Sequence, residues 1–88
     1  MKYVVYLIIS SAKNKTISYV GYTNNIEKRL KLHNSNKGAK FTKGKKWKLI
    51  YYKKYSNKNE AMKNEYKLKK NYILRAKIKN ENFYFTAI

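Results

Sequence analysis

Two short runs rich in β-branched and aromatic residues begin the chain and constrain its fold most. They are KYVVYLIIS at 2–10 and ISYVGY at 17–22. Side chains of these types favour strands, and the polar residues 11–16 between the runs have the composition of a turn. We therefore expect an N-terminal β-hairpin whose first strand is buried.

An Asn-x-x-Glu pair precedes each of two predicted helices. In such a pair the asparagine side chain caps the first helical turn. The pairs are Asn24 with Glu27 and Asn57 with Glu60. They predict one helix over 25–34 and a second from about Lys58 to Tyr72.

The remaining segments complete the predicted fold. WKLIYYKKY at 47–55 favours a third strand, the glycine-containing stretch 34–46 predicts a basic loop, and residues 73–88 predict a short C-terminal element. Without proline, linker or repeat, residues 1–88 are expected to form one domain. The order ββαβα predicts an α/β (α+β) fold, in which helices flank a small three-stranded sheet, mixed or antiparallel.

The balance of charge indicates a polyanionic partner. The 88 residues include 22 Lys and Arg against four acids, a formal net charge of +18. An AT-rich genome would enrich lysine without selection for binding, but it would not also remove acids. A basic excess of this size favours nucleic acid, with an anionic membrane surface as the lesser alternative.

The composition also argues against several classes of protein. The chain has no cysteine, so it has neither disulfides nor thiolate metal sites. No apolar run approaches the ~18 residues of a membrane span, and the start MKYVVYLIIS lacks the cleavage site of a signal peptide. We therefore expect an intracellular protein, cytoplasmic or with the DNA, neither secreted nor in a membrane.

One carboxylate interrupts the apolar stripe of the second predicted helix. At about 100° per residue, Ala61, Leu68 and Tyr72 share a face, and Glu65 lies beside them. A carboxylate in that position requires a cation, a metal ion or hydrogen-bond donors. An ion pair with Lys69, one turn later, is the simpler explanation, and a metal site is the other.

The first predicted helix turns two functional side chains inward. With Ile26 and Leu30 as its inner edge, His33 lies on the same face and Arg29 beside it. A buried histidine and an arginine stem packed on the sheet would explain them structurally. However, both helices would then place functional groups against one small sheet, which favours a shared site. Gly21, inside a strand, indicates a bulge or the close approach of another backbone or a ligand.

The string of motifs resembles the GIY-YIG nuclease superfamily. VVY at 4–6 and YVG at 19–21 occupy the two signature positions, and GYTNNIEKRLKLHN, GAKFTKG and NKNEAMKNEYKLKK follow in the family's order. The chain is similar to small stand-alone members and to the N-terminal nuclease domain found in the excision-repair excinuclease. Val4 stands where the first signature glycine is common, as in many stand-alone members.

The resemblance implies an activity and a set of site residues. The activity is cleavage of DNA phosphodiester bonds with one divalent cation per site, Mg²⁺ or Mn²⁺, as in DNA repair or recombination. Glu65 is the implied metal ligand. The implied catalytic positions are Tyr6, Tyr19, Arg29, His33 and Glu65.

These side chains suit the chemistry of phosphodiester hydrolysis. Arginine stays protonated and its planar group can hold two phosphate oxygens at once, whereas lysine is a mobile point charge. Either Tyr6 or Tyr19 would act as general base or position the water, provided that nearby cations lower the tyrosine pKa. His33 would be a second proton carrier or a phosphate donor.

Further residues are expected to hold DNA. The lysines would contact the phosphate backbone without reading sequence, and Phe41 or Trp47 could stack on an unpaired base, although core packing is the stronger expectation for Trp47. The expected nucleic-acid-binding positions are Gly21, Lys37, Lys40, Lys43, Lys45, Lys46 and Lys69.

The sequence leaves three functions to compare. The leading hypothesis is a Mg²⁺-dependent endonuclease acting on branched, nicked or single-stranded DNA, structure-selective or of low specificity. The second is an inactive nucleic-acid-binding module of the same fold. The third, a structural protein with biased composition, conflicts with the complete motif string. The sequence leaves open whether the protein acts alone, as a homodimer or with a protein partner.

Overall fold

Three strands and three helices make up the protein, as described for residues 2–12 and 15–87 by a computed structural model. The elements follow the predicted order, with a short 3-10 turn inside the basic loop. None of the helices in these ranges is long and apolar enough to cross a membrane. The bounds are β1 Tyr3–Ala12, β2 Lys15–Thr23, α1 Ile26–Asn34, the 3-10 turn Lys40–Thr42, β3 Lys48–Tyr55, α2 Lys58–Lys70 and α3 Tyr72–Ala87.

The sheet has the order β2-β1-β3, and both strand pairs are antiparallel. The predicted α+β fold, the hairpin and the three-stranded sheet are confirmed, and the sheet is antiparallel rather than mixed. Residues 13–14 of the expected turn lie outside the described residues. The central strand β1 is buried because it has neighbours on both sides and helices on both faces. In the β1–β2 register, Tyr6 lies opposite Gly21 and Ile8 opposite Tyr19.

The two faces of the sheet carry two separate apolar clusters, because successive strand residues point to opposite faces. On one face, Val5 and Leu7 pack with Leu68 of α2 and with Ile78 of α3. On the other face, Tyr6 and Ile8 pack with Trp47, and Ile26 and Leu30 of α1 lie against them. Trp47 is buried in this second cluster, which confirms the expected core packing. Helices α1 and α2 therefore cover opposite faces of the sheet.

The helix ends differ from the prediction in two places. The cap of α1 is Asn25, not Asn24: its side chain accepts a hydrogen bond from the amide of Lys28. Helix α2, which Asn57 caps as predicted, ends at Lys70 rather than at residue 72. The side chain of Asn71 then accepts from the amide of Leu74 and starts α3.

The C-terminal element is longer than expected from the sequence. It is the helix α3, which has 16 residues. Because α3 begins at Tyr72, that side chain is not part of the α2 stripe, and it is among the most exposed of the apolar residues.

Candidate active site

A cleft of about 400 Å³ opens beside the edge strand β2. Its walls come from β1, β2, the β2–α1 connection, α1 and α2, so residues from both faces of the sheet meet there. Five of the expected site residues lie in it. The lining residues are Tyr3, Tyr6, Tyr19, Gly21, Tyr22, Thr23, Asn24, Arg29, Lys58 and Glu65.

Gly21 makes room for the phenol ring of Tyr6. The two residues are paired across the hairpin, and a Cβ atom built on Gly21 would overlap the Tyr6 hydroxyl group. The close approach expected at this glycine is therefore that of a tyrosine side chain, not of another backbone. Tyr19 lies diagonally from Tyr6 on the same face, as residues two positions apart on a strand do.

The hydroxyl group of Tyr6 joins the two functional side chains of α1. Its oxygen lies 2.8 Å from Nε2 of His33. Nε of Arg29 donates to the same oxygen over 3.4 Å, a long hydrogen bond. Residues Arg29 and His33 are one helical turn apart, so a single phenol can contact both. Tyr6 is almost fully buried and His33 is fully buried.

Thr42 settles which nitrogen of His33 carries the proton. Its hydroxyl group donates to the carbonyl oxygen of Ala39 over 2.8 Å, so it can only accept from Nδ1 of His33, which lies 2.9 Å away. Nδ1 is then protonated, and Nε2 accepts the proton of the Tyr6 hydroxyl group. Thr42 is not among the site residues expected from the sequence. Its place in the motif GAKFTKG is the signal that points to it.

His33 does not line the cleft. Both of its ring nitrogens are hydrogen bonded, and none of its surface is exposed. On the far side, a Cβ atom on Gly38 would overlap Nδ1. Of the two expected roles, a proton carrier is compatible with this geometry, whereas direct donation to a phosphate is not.

Burial sets the protonation states of the Tyr6–His33 pair. It raises the pKa of the Tyr6 phenol above its ordinary value of 10.0, and the hydrogen bond and charge of Arg29 oppose this rise without reversing it. Burial, and then the charge of Arg29, lower the pKa of His33 below 6.5. At neutral pH Tyr6 is therefore a phenol and His33 a neutral imidazole. In the protein without a bound cation, the charge of Arg29 does not lower the pKa of Tyr6 below its ordinary value, because burial outweighs it. The expected lowering, which included Mg²⁺, stays a prediction for the metal-bound site.

The lowered pKa of His33 predicts a loss of stability in mild acid. The unfolded histidine takes up its proton near pH ~6.5 while the folded one does not, so the free energy of unfolding should fall as pH drops from about 6.5 to about 5. Thermal unfolding midpoints across this range would measure the effect. The chain has a single histidine, so His33→Gln should remove the dependence. A wild-type midpoint that stays constant over the range would contradict the prediction.

Glu65 reaches the cleft from the other face of the sheet. Its side chain is 17% exposed, and Oε1 lies 3.1 Å from Nζ of Lys69. The simpler explanation offered by the sequence, an ion pair with Lys69, is thus confirmed. The same carboxylate also lines the cleft with Tyr6 and Arg29, so the ion pair does not remove it from the site.

The basic loop lies beside the cleft without lining it. Three hydrogen bonds hold the loop in place. The Asn34 side chain donates to the carbonyl oxygen of Trp47 and accepts from its amide, and the Asn36 side chain accepts from the amide of Gly44. Phe41 is 52% exposed and stacks on Tyr19 of the cleft, with ring centroids 6.2 Å apart and planes 21° apart. Of the loop's expected binding residues, four are exposed and Lys45 is half-buried; the exposed four are Lys37, Lys40, Lys43 and Lys46.

Several lining residues were not anticipated from the sequence. Lys58 is the first residue of α2, where the capping pair predicts a helix start but nothing indicates a cleft. Tyr22, Thr23 and Asn24 follow the second signature, inside the quoted motif GYTNNIEKRLKLHN. Tyr3 precedes the first signature. With ten tyrosines in the chain, no pattern separates Tyr3 and Tyr22 from the others.

The donor set of the cleft suits a cation that is shared with a substrate. Among the described residues, no three His, Asp or Glu side chains are placed to hold a metal ion by themselves, and Glu65 is the acidic residue of the described lining. Mg²⁺ keeps several of its waters and is often bound by one or two carboxylates plus substrate phosphate. A single, partly exposed carboxylate that shares the cleft with Arg29 fits that mode of binding.

Several known proteins are similar in sequence to this chain. The model of the GIY-YIG catalytic domain matches residues 2–82. The chain is 41% identical to a UPF0213 protein of Clostridium perfringens over 86 residues, covering 89% of this chain and 91% of that protein. It is 45% identical to a UPF0213 protein of Oceanobacillus iheyensis over 65 residues, 73% of this chain and 74% of the relative. The solution NMR structure of a UPF0213 protein from Bacillus halodurans is 37% identical, covers 78% of this chain and 71% of that one, and superposes with a TM-score of 0.42.

Proposed function

Since the chain belongs to the GIY-YIG family, whose members are generally nucleases, we propose that it is a divalent-metal-dependent DNA endonuclease. It would hydrolyse phosphodiester bonds with low sequence specificity or with selectivity for DNA structure, in repair or recombination. One observation carries the proposal: a single cleft gathers Tyr6, Tyr19, Arg29 and Glu65 from four elements. Residues 1–88 would act as one catalytic unit.

Arg29 is proposed to hold the scissile phosphate. Its hydrogen bond to Tyr6 raises its pKa, so it stays charged at any pH at which the protein is folded. The guanidinium group has five N–H donors, and its bonds to the tyrosines leave others for phosphate oxygens. Charge on those oxygens grows in the transition state, where preorganised donors stabilise it most.

Glu65 is proposed to hold one divalent cation, Mg²⁺ or Mn²⁺. When bound, such a cation supplies positive charge next to the phosphate oxygens and orients a water molecule. In the protein alone, Lys69 balances the charge of the carboxylate over 3.1 Å. On binding a cation, Glu65 would exchange this partner, and the exposed Lys69 would turn to the DNA backbone.

Tyr6 is proposed as the group that takes a proton from the attacking water. As the water proton moves to the Tyr6 oxygen, the hydroxyl proton of Tyr6 would move to Nε2 of His33; the 2.8 Å distance between these two atoms and the hydrogen bond of Nδ1 to Thr42 support this transfer. The pKa of His33 lies below 6.5 because of burial, so the acceptor is neutral at pH 7. Tyr19 is the alternative base: it lines the cleft, and its ring lies edge-on to His33 with centroids 5.2 Å apart.

DNA is proposed to lie across the cleft and the basic loop. The exposed lysines Lys37, Lys40, Lys43 and Lys46 would contact phosphates, and Lys45 would join them. Phe41, stacked on Tyr19 and half exposed, is the aromatic residue of the loop that can meet an unpaired base, because Trp47 is buried.

A cleavage assay tests the proposal. Purified protein is incubated with nicked, branched and single-stranded DNA in Mg²⁺, in Mn²⁺ or in EDTA. We expect cleavage only with a cation, and a loss of about 10²–10³-fold for Glu65→Gln and for Arg29→Ala, as for other groups that stabilise transition-state charge. Glu27→Gln is the matched control, because Glu27 is exposed in the first turn of α1 and does not line the cleft. Cleavage that survives both site substitutions would contradict the assignment.

The second candidate, a binding module without turnover, has its own outcome in this assay. The net charge of +18 predicts DNA binding that weakens steeply with salt, since phosphate contacts release counterions. Such binding without cation-dependent cleavage of any substrate would favour the module and overturn the nuclease.

A further inference from the structure

An apolar groove of about 590 Å³ runs along α2, next to the cleft. Two exposed side chains one helical turn apart contribute to it: Met62 is 46% and Tyr66 61% exposed. Contiguous exposed apolar side chains are a common feature of binding surfaces. The lining residues are Tyr22, Met62, Lys63, Glu65, Tyr66 and Lys67.

The groove and the cleft share two walls. Tyr22 of β2 and Glu65 of α2 line both of them. A ligand in the groove would therefore lie directly beside the carboxylate that we propose as the metal ligand. The groove is thus continuous with the proposed active site.

The surroundings of the groove favour an occupant with negative charge. Lys63 and Lys67 line it, and the ammonium group of Lys70 lies 5.4 Å from the ring centroid of Tyr66. Glu65 is already paired with Lys69. An occupant that matches both the apolar side chains of Met62 and Tyr66 and the lysines around them combines a flat apolar face with anionic groups. A nucleotide has this chemistry.

We propose that this groove binds an unpaired nucleobase adjacent to the scissile phosphate. The inference rests on the proposed nuclease function and extends it, because it names the substrate class: DNA with an unstacked nucleotide at the cleavage site, such as a single strand, a flap or a gap. Bases stack on aromatic side chains through faces that all bases share, without sequence preference. Base-paired duplex DNA keeps these faces inside its own stack and cannot fill the groove.

Equilibrium binding without turnover tests the inference. A fluorescent twelve-nucleotide thymidine oligomer and the same oligomer with abasic residues at its centre are titrated in EDTA. We expect Tyr66→Ala to weaken binding of the thymidine oligomer at least about fivefold, the lower range for one stacked base, and to leave binding of the abasic oligomer unchanged. Met62→Ala should act in the same direction. Tyr72→Ala is the matched control, since Tyr72 is 72% exposed and lines neither the groove nor the cleft.

The outcomes separate this inference from the nuclease proposal. Base-dependent binding that Tyr66→Ala removes supports the inference, even if no substrate is cleaved and the nuclease proposal fails. Cation-dependent cleavage with no effect of Tyr66→Ala on either oligomer overturns the inference and leaves the nuclease in place. An equal loss of affinity for both oligomers also overturns the inference, because the groove would then contribute charge contacts rather than base stacking. So does a Tyr66→Ala protein that binds both oligomers as the wild type does and differs only in its sedimentation without DNA, because the groove would then serve self-association.

Discussion

Replacing Tyr6 by phenylalanine is expected to lower the rate of DNA cleavage by about 10²–10⁴-fold, the usual contribution of a positioned acid–base group. The substitution keeps the ring over Gly21 but removes the oxygen that joins Arg29 and His33. It also leaves Nε2 of the fully buried His33 without its partner, which should lower the free energy of unfolding by about 1–3 kcal/mol. Single-turnover cleavage and chemical denaturation would measure the two effects.

Tyr52→Phe is the control for this prediction. Tyr52 lies opposite Tyr6 on β3, is 53% exposed and lines no part of the cleft. Its substitution should change neither quantity. Full cleavage by Tyr6→Phe, together with a large loss in Tyr19→Phe, would transfer the role of general base to Tyr19.

Adding one methyl group at Gly21 is expected to disturb both stability and the site. The Cβ atom of Gly21→Ala would overlap the Tyr6 hydroxyl group, and this phenol cannot move away freely because it is buried between β2 and α1. Overpacking of this kind lowers the free energy of unfolding by about 1–3 kcal/mol. Because the displaced atom is the proposed base, cleavage by the folded protein should also fall, by at least about tenfold.

Two other glycines supply comparisons for Gly21→Ala. Gly38→Ala should have a similar effect, since its Cβ atom would overlap Nδ1 of His33. At Gly44 no atom lies within 4 Å of the place that a Cβ atom would take, and φ is +75°. Gly44→Ala should therefore lose stability through backbone strain alone and keep most of its cleavage rate. If all three variants lost stability and cleavage in the same proportion, the contacts of Gly21 with Tyr6 would not be the cause.

Most of the fold follows from local patterns. The β-branched and aromatic runs and the polar turn between them predicted the hairpin, and Asn57 predicted the start of α2, because strand preference and capping depend on neighbours in the chain. The boundary errors have local causes too. Asn24 and Asn25 are adjacent and equally able to cap a helix. The spacing to Glu27 favoured Asn24, whereas the cap in the structure is Asn25. Asn71 ends α2 without proline or glycine, which are the usual stop signals.

Part of the candidate site also follows from the sequence. Glu65 interrupts an apolar stripe, and Arg29 and His33 lie on the inner face of α1, so periodicity alone selected them. The structure places Arg29 and Glu65 in one cleft. Their catalytic and metal-binding roles, and the nucleic-acid contacts of the lysines, stay predictions that the cleavage and binding assays address.

The sequence by itself therefore determined the elements, their order, the charge and the family's motif residues, because each depends on residue type and short spacing. The tertiary structure decided that α1 and α2 cover opposite faces of the sheet and that side chains of both line the cleft beside the edge strand β2. It also decided that His33 lies behind Tyr6 with its tautomer set by Thr42, and that a groove with Tyr66 adjoins the cleft. These features depend on contacts between residues that are far apart in the chain. No helical or strand period records such contacts, because they arise only when the packed faces exclude water and bring distant groups together.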